Sequence, residues 1–126
     1  MTEEERVQIE PEFNRALDLR ETNLPESIRI LTDLDRRFPN RGFIVGMLGG
    51  IYHGMKDWPN ALLYSQRAVV LSPKSELASL CFFHSLWHHE RFDEAFCEAR
   101  RFVKINGMTD LYSSLMSDLD DDGVFD

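Results

Sequence analysis

Cys81, His84 and His88 stand at i, i+3 and i+7 inside the stretch "CFFHSLWHHERF", residues 81–92. On a helix that spacing puts three metal-ligating side chains on one face, and histidines four apart are a common ligand pair. Structural zinc wants four ligands in a tetrahedron, and His53, on a neighbouring helix, is the candidate for the fourth. The competing use of the same residues is a wall, because aromatic side chains at helical spacing more often pack or meet a partner than hold an ion. The cluster matches no closed metal pattern, so no metal ligand and no cofactor is assigned, and a metal-binding regulatory protein is kept as an alternative.

Other chemistry is thinner. "DLDDDG" at 118–123 imitates the opening of a calcium loop. Such a loop needs a bidentate acid at its twelfth residue, and the sequence stops at Asp126 before that place. Residues 120–126 therefore read as an acidic tail. There is no glycine-rich phosphate loop and no nucleophile elbow. Cys81 falls mid-helix in an apolar stretch, away from the helix N-termini and cationic sites that activate thiols. The reading is of a chain that is not an enzyme, with no catalytic residues.

The elements that must position these side chains follow from composition and repetition. The chain has 126 residues, 43% hydrophobic and 29% charged, with a net charge of −8. That suffices for one domain with a real core. The acidic balance disfavours a general nucleic-acid binder, which needs clustered Lys and Arg, and suits solubility or a partner with a basic surface. "MTEEERVQIEPEF" has no basic start followed by an apolar run, so no secretory signal is read, and no apolar stretch approaches the ~20 residues that span a bilayer. The expectation is a cytoplasmic protein without membrane contact, with Cys81 and Cys97 as reduced thiols.

Sliding the sequence by 34 residues superposes "LPESIRILTDL" (24–34), "WPNALLYSQRA" (58–68) and "FDEAFCEARRF" (92–102). Leu24, Trp58 and Phe92 coincide as large apolar residues, Ser27, Ala61 and Ala95 as small ones, and Pro39, Pro73 and Gly107 as helix stops. Three units at one period indicate a repeat architecture. Each unit reads as two antiparallel helices. The first helices are expected over about 9–21, 41–55 and 75–89, with Asn40 and Ser75 as N-caps. The second helices are expected from the large apolar residue to about Phe38, Ser72 and Ile105, with Pro25 and Pro59 in the first turn. Leu111, Leu115 and Leu119, with Met108 and Tyr112 beside them, make an i, i+4 stripe that predicts a seventh helix capping the array. The fold class is all-α: an α-solenoid of three repeats (about 8–41, 42–75 and 76–107) with a capping helix at 108–119, all in one domain over 1–119.

The middle unit, "VGMLGGIYHGMKDWPNALLYSQRAVVLSP" (45–73), resembles the tetratricopeptide repeat. Leu48, Gly49 and Tyr52 stand as that family's Leu-Gly-x-x-Tyr, and Ala61, Ala68 and Pro73 follow at its spacing. Arg15 and Phe83 stand where Gly49 does in the flanking units, so those units depart from the pattern. The resemblance implies that the first helices line a concave surface. The expected partner-binding residues there are Leu19, Arg20, Phe43, His53, Leu77, Leu80, Cys81, His84, Trp87 and His88, with Glu12, Ala16, Gly46 and Gly50 on the same wall. Such a wall suits an amphipathic helix or an extended apolar segment. The expected function is a non-enzymatic interaction module, an adaptor resembling small secretion chaperones, that holds one protein partner in its groove. The alternative is an immunity protein that blocks a basic-surfaced toxin.

Overall fold

A computed structural model describes the backbone of residues 1–121 and the side chains of residues 1–118. Among the described residues the protein is all-helical: α1 (Glu3–Leu19), α2 (Leu24–Arg37), α3 (Gly42–Gly54), α4 (Trp58–Leu71), α5 (Glu76–His88), α6 (Phe92–Asn106) and α7 (Asp110–Asp121). The 34-residue period is written into the helix starts. Leu24, Trp58 and Phe92 open the second helix of each unit. Gly42, Glu76 and Asp110 open α3, α5 and α7, so α7 takes the place of a fourth unit's first helix.

Local chemistry sets those starts. The Asn23, Asp57 and Ser75 side chains accept from backbone N–H groups three residues on, at 3.2–3.3 Å. Each satisfies one of the N–H groups that a helix start leaves without a partner. Pro25 and Pro59 follow in the first turn, where their missing N–H is not needed. Between α3 and α4 the Asp57 N–H reaches back to the Tyr52 carbonyl, and between α5 and α6 the Arg91 N–H reaches Leu86. Both turns place a non-glycine residue in the left-handed region, Lys56 at φ 59° and Glu90 at φ 60°.

Three local expectations are corrected. α1 begins at Glu3 and not near residue 9, and runs through Pro11. Thr2 caps it by accepting from the Glu5 N–H, and three glutamates fill its first turn, where acids complement the dipole. Arg41 pairs with Glu5, tying this extension to the loop before α3. Asn40 is not the cap of α3; it takes a left-handed turn at φ 64°, and Arg41 holds the cap position without a side-chain bond. Among the described residues of α7 the buried one is Tyr112, with Leu115 and Met116 packed beside the core, while Leu111 and, just before the helix, Met108 are exposed; the Leu119 side chain lies outside the described residues. The apolar stripe is therefore turned from the one the leucine spacing suggests.

The core is a chain of three clusters, as expected when each unit buries its face against a neighbour. Ile9 and Ala16 of α1, Ile30, Leu31 and Leu34 of α2, and Ile44, Leu48 and Ile51 of α3 form the first. Val45, Ala68, Val69 and Ala78 join α3, α4 and α5. Phe83, Leu86, Ala95, Ala99, Phe102 and Tyr112 join α5, α6 and α7. Ser27, Ala61 and Ala95 are all fully buried, the small residues that let paired helices approach. Among the described residues no helix is long and apolar enough to cross a membrane.

Candidate functional site

The most prominent concavity is a groove of about 790 Å³ over α3. Its floor is α3 itself, and its walls come from the end of α1, the start of α2, and α5. The floor is bare because Gly42, Gly46, Gly50 and Gly54 repeat every fourth residue and so form one row along the helix. A Cβ built on Gly46, Gly50 or Gly54 would meet nothing within 4 Å. Gly49 is different: it faces inward, where a Cβ would lie 3.4 Å from the Ser65 backbone nitrogen. Gly49 and Gly42 serve packing, Gly42 lying where a Cβ would come 2.7 Å from the Ser72 hydroxyl, while Gly46, Gly50 and Gly54 face open space among the described residues.

The walls are apolar. Phe43 is 42% exposed, and its ring is braced edge-on by Phe13 of α1 at 5.0 Å. Leu77 of α5 is 73% exposed on the opposite side. Met47 and Met55 add flexible, polarisable surface. Cys81 lies one turn after Leu77, and burial pushes its thiol up from the ordinary range, away from reactivity. Ser72 and Ser75 provide hydroxyls at the end near Gly42.

Arg20 is the one charged residue of the lining. Its Nε–H donates to the Leu17 carbonyl at 3.3 Å, and one Nη lies 3.7 Å from the Met47 sulfur. Among the described residues no carboxylate lies within 4.0 Å of it. Its counter-charge is thus left to solvent or to whatever enters the groove.

The residues expected to share one wall fall into three groups. Arg20, Phe43, Leu77 and Cys81 do line the groove. Leu19 packs on the first core cluster, and Leu80 and Trp87 on the third-unit cluster, where Trp87 meets Phe92 at 4.6 Å and Phe96 at 5.8 Å. His53 and His88 pack on Trp58 at the α3–α4 turn instead, and His84 packs on His53 and Phe83. His88 stacks flat on Trp58 at 3.8 Å, His53 meets Trp58 edge-on at 5.4 Å, and His53 and His84 are 5.5 Å apart. Burial holds His53 and His84 below the ordinary histidine range, and the neighbouring imidazoles push the same way. The cluster is a packed seam between units, with His88 at its exposed edge. Among the described residues no group of three His, Cys, Asp or Glu is placed to hold a metal ion. The calcium-like run at 118–123 lies beyond the described side chains.

Gly42, Met47, Gly54 and Met55 line the groove without having been singled out from sequence. The i, i+4 glycine row was the available signal. No family model matches the chain, and no curated protein matches it.

Proposed function

We propose that the chain is a tetratricopeptide-like interaction module, not an enzyme, that holds one protein partner in the groove over α3 as an adaptor or chaperone. The observation that carries this reading is the exposure of Phe43 and Leu77, from α3 and α5, in the lining of one cleft of about 790 Å³. Large apolar side chains left open around a concavity mark interaction sites more often than chance exposure does. An uncharged lining with a single cation favours an apolar partner segment over a basic toxin surface, which Arg20 would repel. The histidines support the same reading, because their rings are engaged in packing, His53 and His88 on Trp58 and His84 on His53.

The experiment is site-specific photocrosslinking in the native cell. A photoreactive residue at Phe43 or Leu77 is expected to give one adduct of a single mass. The same residue at Leu63 or Val70, exposed on α4 outside the groove, is expected to give none. Equal labelling from α4, or no adduct from the groove positions, rejects the reading.

A further inference from the structure

We infer that the occupant of this groove is an amphipathic helix laid along the glycine row of α3, with one carboxylate side chain on the flank of its apolar stripe to meet Arg20. This rests on the proposed partner site and adds the shape and charge of what it takes.

Backbone chemistry selects a helix. Every buried N–H and C=O needs a partner. The N–H and C=O groups of α3 are committed within its own ladder, and the lining side chains offer three serines and one arginine. An extended segment pressed onto that floor would strand its backbone groups, whereas a helix satisfies its own. The glycine row supplies the fit. Glycine inside a helix is unfavourable relative to alanine, and among the described residues nothing lies within 4 Å of a Cβ built on Gly46, Gly50 or Gly54. The row removes a ridge, so a second helix can approach nearer than the roughly 8–10 Å usual between packed helices. Small residues every fourth position support such close approach between helices elsewhere. At about 1.5 Å per residue, the thirteen residues of α3 give a floor of about 20 Å, enough for between three and four turns of occupant.

Charge complementarity sets the flank. Arg20 stands beside Met47, near the middle of the floor, with no carboxylate partner among the described residues. A carboxylate placed there would form a charge-assisted bond in partly apolar surroundings. A basic side chain at the same place would be repelled.

Selection from a random 16-residue peptide display library on the full chain tests this. The enriched peptides are expected to carry apolar residues at i, i+3 or i+4 and i+7, with Asp or Glu beside them. On Arg20→Glu the flanking preference is expected to invert to Lys or Arg. By fluorescence anisotropy, the best labelled peptide is expected to bind Gly50→Leu and Arg20→Glu at least tenfold more weakly. Arg20→Glu should keep the wild-type circular dichroism and melting temperature because Arg20 is exposed, and Gly50→Leu should keep the circular dichroism and melt no lower than wild type because the space there is open. Any one of four results overturns the inference: no enrichment, enrichment without helical spacing, no inversion on Arg20→Glu, or full binding to Gly50→Leu. A fifth is saturable oleate binding without peptide enrichment, which would give the groove to a lipid carboxylate. If groove photocrosslinks persist while the peptides lack these signatures, the partner site stands and the helical, acidic occupant does not.

Discussion

α3 and α5 hold the same place in successive units, yet one is stripped and the other filled. Both are thirteen residues long, and they begin 34 residues apart. Gly46 corresponds to Leu80, Gly49 to Phe83, Gly50 to His84 and Gly54 to His88. In α3 the inward glycine brings the α4 backbone close, and the outward ones leave a groove. In α5 the inward Phe83 is buried among Trp87, Phe96 and Tyr112, while His88 stacks on Trp58 and His84 meets His53. The caps and small residues set the register of both. The side chains that fill that register decide whether a unit spends its surface on cohesion or leaves it open.

Breaking the filled unit should have the largest effect. Phe83→Ala removes a fully buried ring from the cluster that joins α5, α6 and α7. A buried phenylalanine truncated this way costs about 3–5 kcal/mol, read as a fall in the urea midpoint at unchanged slope. A loss under about 1 kcal/mol would mean that the third unit is not organised around this ring.

Two adjacent glycines of α3 sharpen the contrast at the next level. Gly49→Leu forces a side chain against the α4 backbone at Ser65 and Tyr64 and should cost about 1–3 kcal/mol. Gly50→Leu, one residue on, enters open space and should cost nothing. Equal losses in thermal unfolding would erase the distinction between a packing glycine and a floor glycine.

This pair also shows what could be read from sequence. The period, the first-turn prolines at 25 and 59, the Ser75 cap and the small residues at 27, 61 and 95 each act locally or recur, so the all-α repeat was legible. α1 starts earlier than the 34-residue register places it, because the Thr2 cap and the glutamates after it lie outside the repeat. The groove was half legible. Arg20, Phe43, Leu77 and Cys81 were found as surface that is present. The floor is defined by absent side chains, and a search for apolar periodicity passes over a glycine row. The packing of His53 and His88 on Trp58, and of His84 on His53, joins different helices, and no spacing within one helix reveals it.

The filled side carries a polar lock as well. Ser79 donates to Glu98 at 2.6 Å, and the Tyr112 hydroxyl meets Ser79 at 2.5 Å. Arg101 holds Glu98 in a bidentate pair and also donates to the Pro73 carbonyl. Because the serine proton goes to the carboxylate, Tyr112 is the donor to Ser79. Burial above all pushes the Tyr112 phenol up to about 12, which keeps it protonated for that role. Tyr112→Phe should cost about 1–2 kcal/mol, the price of one lost buried hydrogen bond. Amide exchange in α7 should quicken before that in α5, since this bond fastens the cap. Uniform acceleration across all seven helices would place α7 inside the global unfolding unit instead.

The smallest effect runs in the opposite direction. Gly46→Ala and Gly50→Ala add a methyl where nothing lies within 4 Å. Each also removes the backbone freedom that glycine brings to the unfolded chain. Each should therefore raise stability, by about 0.5–1 kcal/mol. The two sites are one helical turn apart, within the range where neighbours couple, so the double variant also measures how far the gains add. Stability that so small a change can recover, yet the chain forgoes, fits a surface shaped for contact and not for cohesion. The double variant should melt higher than wild type while binding the selected peptide less well. If it melts lower, the row is holding α3 in place by some contact of its own, and the contrast with α5 is one of packing style alone.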